Sequence, residues 1–184
     1  MTELKRGTEH GARSWSAGKN RLFFGILAPV VVVDFVTKYL VQQGMRPYQQ
    51  IDIVGDYLRL TFIHNPGAAF GIHVGEYSRI IFLILSLVAL IALGAMYWST
   101  PGRDRVRLSA IALICAGAIG NLIDRIRSEQ GVVDFIDVGI GDLRWPVFNV
   151  ADIAVTTGAI FLALSLWQED RDSPGRRADD EGGA

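Results

Sequence analysis

The sequence predicts an all-α membrane protein: four transmembrane helices with a small β-sheet and a short surface helix at the extracytoplasmic face. Three observations predict it. Half of the 184 residues are hydrophobic and the mean hydropathy is +0.28, too apolar for an ordinary soluble domain. Four segments approach the roughly 20 residues that cross about 30 Å of hydrocarbon. Two of the connectors carry strand patterns, and strand edges do not lie bare in lipid, so a sheet belongs at the membrane face.

Residues 1–20, "MTELKRGTEHGARSWSAGKN", are polar and glycine-containing and read as a disordered cytoplasmic tail. Residues 21–168 form the four-span domain, and 169–184 a second disordered cytoplasmic tail. The first span runs from about Leu22 to Gln42 and carries Asp34 and Lys38. Because 21 hydrophilic residues precede it and no small-residue cleavage site follows, it is not a cleaved signal peptide. Next, "DYLRLTFI" (56–63) alternates as a strand and runs into "HNPGAAFG". "VGEYSRI" (74–80) reads as a short surface helix, and the stretch 64–80 as a movable cover over the site. The second span, about Ile80 to Trp98, has no charge at all, unlike an amphipathic soluble helix. The third covers about Leu108 to Ile123 and is apolar until Asp124. "GVVDFIDVGIGDLRWPVF" (131–148) reads as a strand, a Gly141-Asp142 turn and a second short strand. The fourth span is about Val147 to Trp167 and holds Asp152.

Charge sets orientation. The N-terminal stretch through Arg21 has five Lys or Arg, the 99–107 loop three in nine residues, and the C-terminal tail three. The two remaining loops are longer and have three each, which puts both tails in the cytoplasm and residues 43–79 and 124–146 outside. A net charge of −1 implies no nucleic-acid partner. The lone Cys115 forms no internal disulfide, the three His show no zinc spacing, and no metal site is expected.

The acids gather at one end. Asp34 and Lys38 stack four apart on one helix face. Asp124 ends the third span and is expected to pair with Arg125 or Arg127. Asp134 follows in a strand, and Asp152 enters the fourth span with no basic residue within ten positions before it or after it on its own helix. A charge at mid-membrane costs roughly 2.5–3.5 kcal/mol on insertion scales, so an unpartnered acid there is a functional candidate. Two carboxylates in a half-dry site share a proton, one acting as base on water and the other polarising a carbonyl. A proton-coupled carrier would use the same acids, although paired repeats are not visible. The "GIGD" at 139–142 matches the Gly-x-Gly-Asp of presenilin-type proteases, but it falls in a hydrophilic turn.

The motifs "DFVTKYL" (34–40), "HNPGAAFG" (64–71), "GAIGNLIDRI" (117–126), "GVVDFIDV" (131–138) and "FNVADIAVTTG" (148–158) together resemble the bacterial lipoprotein signal peptidases, or signal peptidase II. The resemblance covers about residues 20–168. It implies an intramembrane aspartic endopeptidase of the bacterial inner membrane. Such enzymes cleave diacylglyceryl-modified prolipoproteins just before the lipidated cysteine, with no metal or organic cofactor. By motif match the catalytic pair is Asp134 and Asp152. Asp124, the partner that spacing alone suggests, becomes a supporting residue with Arg125. Asn65, Gly67, Asn121 and Asn149 match polar and glycine positions around the pocket, and Asp34 with Lys38 matches the first motif. The expected partners are the lipidated substrate, membrane lipid and globomycin-type inhibitors. The expected state is a monomer, and which aspartate holds the shared proton stays open.

Overall fold

A computed structural model describes the backbone of residues 2–69, 72–73 and 77–172, with side chains described for 17–67 and 77–171. Four helices form the frame: α1 (Thr2–Gly44), α2 (Ser78–Ser99), α3 (Arg105–Arg127) and α4 (Val150–Asp172). Each contains a stretch long and apolar enough to cross a membrane: Ala17–Gly44, Ser78–Ser99, Arg105–Arg127 and Val150–Arg171. The α1 helix reaches back to Thr2, through the stretch expected as a disordered tail. The reason is cooperative: once a long helix exists, adding residues at its end avoids the cost of a new nucleus. The expectations for 173–184, and for 70, 71 and 74–76 of the cover, lie outside the described residues.

The helices pack around α3. In its most apolar window 56% of residues are buried, against 11% in α2. The exposed apolar surface of α1, α2 and α4 is what lipid would cover. Small residues let α3 and α4 approach closely. A side chain on Gly117 would collide with the Ala151 backbone, and one on Gly158 with Ile114 and the Ala110 carbonyl. This is the close backbone approach that small residues give to membrane helices. At one end, Phe23, Leu93, Tyr97, Leu108 and Ile111 form an apolar cluster. There Lys19 on α1 donates to the Tyr97 carbonyl of α2 (2.6 Å) and to the carbonyl of Thr100, its C-cap (2.7 Å), supplying partners for a helix C-terminus.

The sheet sits at the other end. Strands β1 (Gln50–Val54), β2 (Leu58–Asn65), β5 (Val132–Ile140) and β6 (Leu143–Arg144) form one antiparallel sheet in the order β1-β2-β5-β6. Between β2 and α2, the two-residue strands β3 (Ala68–Ala69) and β4 (Ile72–His73) pair as a separate hairpin. The strand expected at 56–63 is therefore β2, shifted by two residues, and β1 was not foreseen. Its side chains are all exposed, so no inward apolar alternation marks it. Of the surface helix expected at 74–80, residues 74–76 lie outside the described residues; Tyr77 is 3₁₀-helical and Ser78 begins α2. A bulge in β2 between Leu60 and Ile63 resets its register on β5, placing Ile63 opposite Asp134 and Asn65 opposite Val132. Val41, Met45, Phe62, Val133 and Phe135 pack the sheet onto the end of α1.

The α3–α4 contact gives a direct test. Gly117→Ala should cost about 1–3 kcal/mol through overpacking against rigid backbone. Gly94→Ala, on α2 with nothing within 4 Å of the added carbon, should change little. Thermal melting of both variants in detergent checks this, and equal melting would remove the argument for close approach.

Candidate active site

Lys38 organises the polar end of the bundle. Its ammonium lies 2.8 Å from Asp34 Oδ2, one turn back on α1, and 2.9 Å from Asp124 Oδ2 on α3. It also donates to Asn121 Oδ1 at 2.9 Å, so all three N–H donors are used. Asp34 Oδ1 accepts the Ala151 N–H of α4 at 2.9 Å, and Asp124 Oδ2 also accepts the Val133 N–H of β5 at 3.3 Å. One buried cation thus ties α1, α3, α4 and β5 together.

The expected pairing of Asp124 with Arg125 or Arg127 is not what the structure shows. Lys38 reaches Asp124 from α1, while Arg125 turns the other way. Arg125 donates to the Asn121 carbonyl at 3.2 Å and lies 5.7 Å from the Phe82 ring centre on α2. Its own carbonyl accepts from Arg79 Nε at 2.8 Å. Adjacent residues on a helix point about 100° apart, so Asp124 and Arg125 cannot face one partner set.

Three asparagines surround the two remaining acids, and each amide is oriented by a group that can only donate. For Asn121 it is the Lys38 ammonium; for Asn149, the Asp152 backbone N–H at 2.9 Å; for Asn65, the Gly67 N–H at 3.0 Å. The carbonyl oxygen must face that donor, which turns the NH2 group toward a carboxylate. Asn65 donates to Asp134 Oδ2 at 3.0 Å and Asn149 to Asp134 Oδ1 at 2.7 Å. Asn121 donates to Asp152 Oδ1 at 2.8 Å, and the Asn149 backbone N–H to Asp152 Oδ2 at 3.1 Å. Both oxygens of both acids therefore accept a hydrogen bond, and Asn149 joins the pair.

The local sequence explains these positions. Asn149 and Asp152 cap α4 reciprocally, each side chain accepting the other's backbone N–H, as in a capping box. Asp152 is thus held in the first helical turn. Gly67 has φ of 123°, a left-handed region that side chains rarely adopt, and a side chain there would strike Ser78. That turn aims its N–H at Asn65.

The two acids differ in surroundings. Asp134 is 2% exposed, whereas Asp152 is half-buried. Burial, and then the charge of Asp152, push the Asp134 carboxyl up to about 7 despite its two amide donors. Asp137, three residues on, goes the opposite way. Burial there is outweighed by Arg144 at 2.6 Å, the Thr61 hydroxyl at 2.7 Å and the charges of Arg144 and Arg59, which hold it below its ordinary value. Asp137 has a local cation and Asp134 has none within hydrogen-bond reach, which separates a structural acid from one that keeps its proton near neutrality. Asp142 of "GIGD" lies on the exposed β5–β6 turn, where Gly141 has φ of 55°. His64 contacts Phe62 on β2, and burial lowers its basicity against the pull of Asp124.

The structure thus brings Asn65, Gly67, Asn121, Asp134, Asn149 and Asp152 into one hydrogen-bonded set, with Asp34, Lys38 and Asp124 joined to it through Asn121. Arg125 borders it. The Ala151 and Val133 N–H groups carry no side-chain signal and were not foreseeable from the sequence.

Comparison with known proteins shows which family and fold this chain is similar to. A family profile described as signal peptidase (SPase) II matches residues 26–168. A lipoprotein signal peptidase of Moorella thermoacetica is 41% identical over 137 residues, covering 74% of this chain and 87% of that protein. One from Halothermothrix orenii is 43% identical over 142 residues, covering 77% and 92%. A solved bacterial membrane enzyme superposes with a TM-score of 0.74 at 33% identity, covering 83% of this chain and 92% of the other.

Two outcomes follow from the geometry. Lys38→Ala leaves Asp34 and Asp124 without their cation, and breaking such a buried pair commonly costs about 3–5 kcal/mol. Asp34→Ala should cost less, because Lys38 keeps Asp124, and the double variant should recover part of the loss. Melting in detergent measures all three. The second outcome concerns pH. The folded protein keeps a proton on Asp134 to about pH 7, whereas the unfolded chain releases it near 3.8. Folding therefore binds a proton between these values, and stability contributed by Asp134 falls as pH rises through that window and levels off above it. Asp134→Asn should flatten this slope, and an unchanged slope would contradict the assignment.

Proposed function

The chain belongs to the signal peptidase II family, a family of peptidases, and on that premise we propose that Asp134 and Asp152 form its aspartic catalytic dyad. The proposed reaction removes signal peptides from diacylglyceryl-modified prolipoproteins by cutting just before the lipidated cysteine. One observation carries the reading: two acids from different elements are held by three amides oriented to donate to them, at one end of four membrane-spanning helices.

The environments suggest the roles. Asp134, buried and carrying its proton near neutrality, serves as the acid. Asp152 sits in the first turn of α4, where unpaired N–H groups favour negative charge, and serves as the base. Asp152 takes a proton from water as the hydroxide adds to the scissile carbonyl carbon. Asp134 gives its proton to the carbonyl oxygen. When the C–N bond breaks, the proton on Asp152 passes to the leaving nitrogen. The hydroxyl proton of the new carboxyl group returns to Asp134, which restores the dyad. No metal or organic cofactor enters this scheme.

The placement is bacterial: the inner membrane, with both termini cytoplasmic and the sheet end outside. The Lys and Arg of the N-terminal tail and of the 99–107 loop support it. A signal peptide is itself a membrane helix, so its cleavage point lies at the depth of the dyad. The diacylglyceryl group would hold the cysteine at that depth, and the exposed apolar faces of the helices would accept its chains. A single chain supplies every proposed catalytic group, so the monomer suffices. Globomycin-type cyclic lipopeptides would compete for the same pocket.

Asp134→Asn and Asp152→Asn should each lower cleavage of a lipidated precursor by about a thousandfold or more, since an amide can neither give up the acid's proton nor take one as base. Membrane insertion should be intact. Near-normal turnover by either variant would rule out the dyad. Cleavage should also decline above about pH 7, where Asp134 loses its proton. The unmodified precursor should be cut poorly or not at all, and equal rates on both forms would contradict the positioning role of the lipid.

A further inference from the structure

A second polar site lies against Lys38. A cavity of about 150 Å³ opens between α1, the end of α3 and the start of β5. Lys38, Tyr39 and Gln42 line it from α1, Asp124 and Arg127 from α3, with Phe35 at its edge. These α1 residues share one helix face, at the end of the span that carries the sheet.

Two features of the lining point to an occupant. Arg127 is exposed and makes no ion pair among the described residues; its guanidinium lies 5.3 Å from the Phe35 ring centre. Asp124 receives Lys38 and the Val133 N–H on Oδ2 alone, so Oδ1 has no partner among the described residues. The cavity therefore offers a cation at one place and a carboxylate oxygen at another. Asp34, Lys38, Asp124 and Arg127 sum to zero charge, so a neutral occupant with separated charges fits better than an anion. On the side of the cavity toward the span, apolar side chains are exposed: Phe35 is 42% exposed, Val36 44% and Ile126 60%. This continues the surface that faces acyl chains.

We propose that this cavity seats the headgroup of a membrane phospholipid bearing a phosphate and a primary ammonium, with the phosphate on Arg127 and the ammonium toward Asp124 Oδ1. A glycerol headgroup would leave an uncompensated negative charge beside Asp124. A trimethylated ammonium has no N–H to donate. The bound headgroup would touch Lys38, whose contact with Asn121 leads to Asp152, so the lipid lies one hydrogen-bonded chain from the dyad.

Native mass spectrometry tests this on the full chain. The protein is released from micelles holding equal amounts of phosphatidylethanolamine, phosphatidylglycerol and phosphatidylcholine with identical chains. Phosphatidylethanolamine should be retained ahead of the other two. Arg127→Ala should lower its retention roughly tenfold, the usual scale for a charged hydrogen bond. Gln42→Trp, which fills the cavity without removing a charge, should lower it too, with melting near that of the parent for both variants. Should either variant misfold, the headgroup comparison on the parent protein still decides. Equal retention of the three lipids, a preference for phosphatidylglycerol, or full retention by a folded Arg127→Ala protein would overturn the proposal. So would soluble glycerophosphoethanolamine displacing the lipid at equal concentration, since that would mark a site for free phosphoesters.

Discussion

The buried ammonium of Lys38 is the constraint on which the polar end of this protein depends. An ammonium can only donate, so its three partners are fixed as acceptors: Asp34, Asp124 and the carbonyl oxygen of Asn121. That choice turns the Asn121 NH2 toward Asp152. The same contacts hold α1 against α3, and through Asp34 against the first turn of α4. Removing Lys38 would leave two carboxylates without their cation, which makes it the member on which the others depend.

A similar logic runs through the other amides. Asn149 and Asn65 are each pinned by a backbone N–H, and each presents N–H to Asp134. Neutral donors stabilise a carboxylate less than a cation does. The contrast with Asp137 shows the result within a single strand. Arg144 holds Asp137 ionised, while amides alone leave Asp134 with its proton to about pH 7. Burial and the charge of Asp152, with only amides to offset them, leave the Asp134 carboxyl at about 7, in the range where a group can give up a proton near neutral pH.

Much of this was legible in the sequence. The four spans follow from apolar runs, and an acid inside a span with no cation near it on its own helix marked Asp152. The i, i+4 spacing of Asp34 and Lys38 gave their ion pair. Other features were hidden because they depend on contacts between distant segments. The partner of Asp124 comes from α1, 86 positions away, whereas local reading offered its neighbours Arg125 and Arg127. Strand β1 is exposed along its whole length and so lacks the alternation that marks a half-buried strand. The Ala151 N–H that receives Asp34 has no side-chain signature. The bulge that sets Asn65 near Asp134 depends on the pairing of β2 with β5, which no single stretch encodes.

The central claim is that Asp134 is the acid of the pair and keeps its proton up to about pH 7. Infrared difference spectroscopy of the carboxylic C=O stretch tests it most directly, comparing the parent protein with Asp134→Asn. At pH 6 the account predicts a protonated-carboxyl band that is lost in Asp134→Asn, is kept in Asp137→Asn, and bleaches as pH rises through about 7. A difference spectrum with no such band, or a band lost instead in Asp152→Asn, would contradict it.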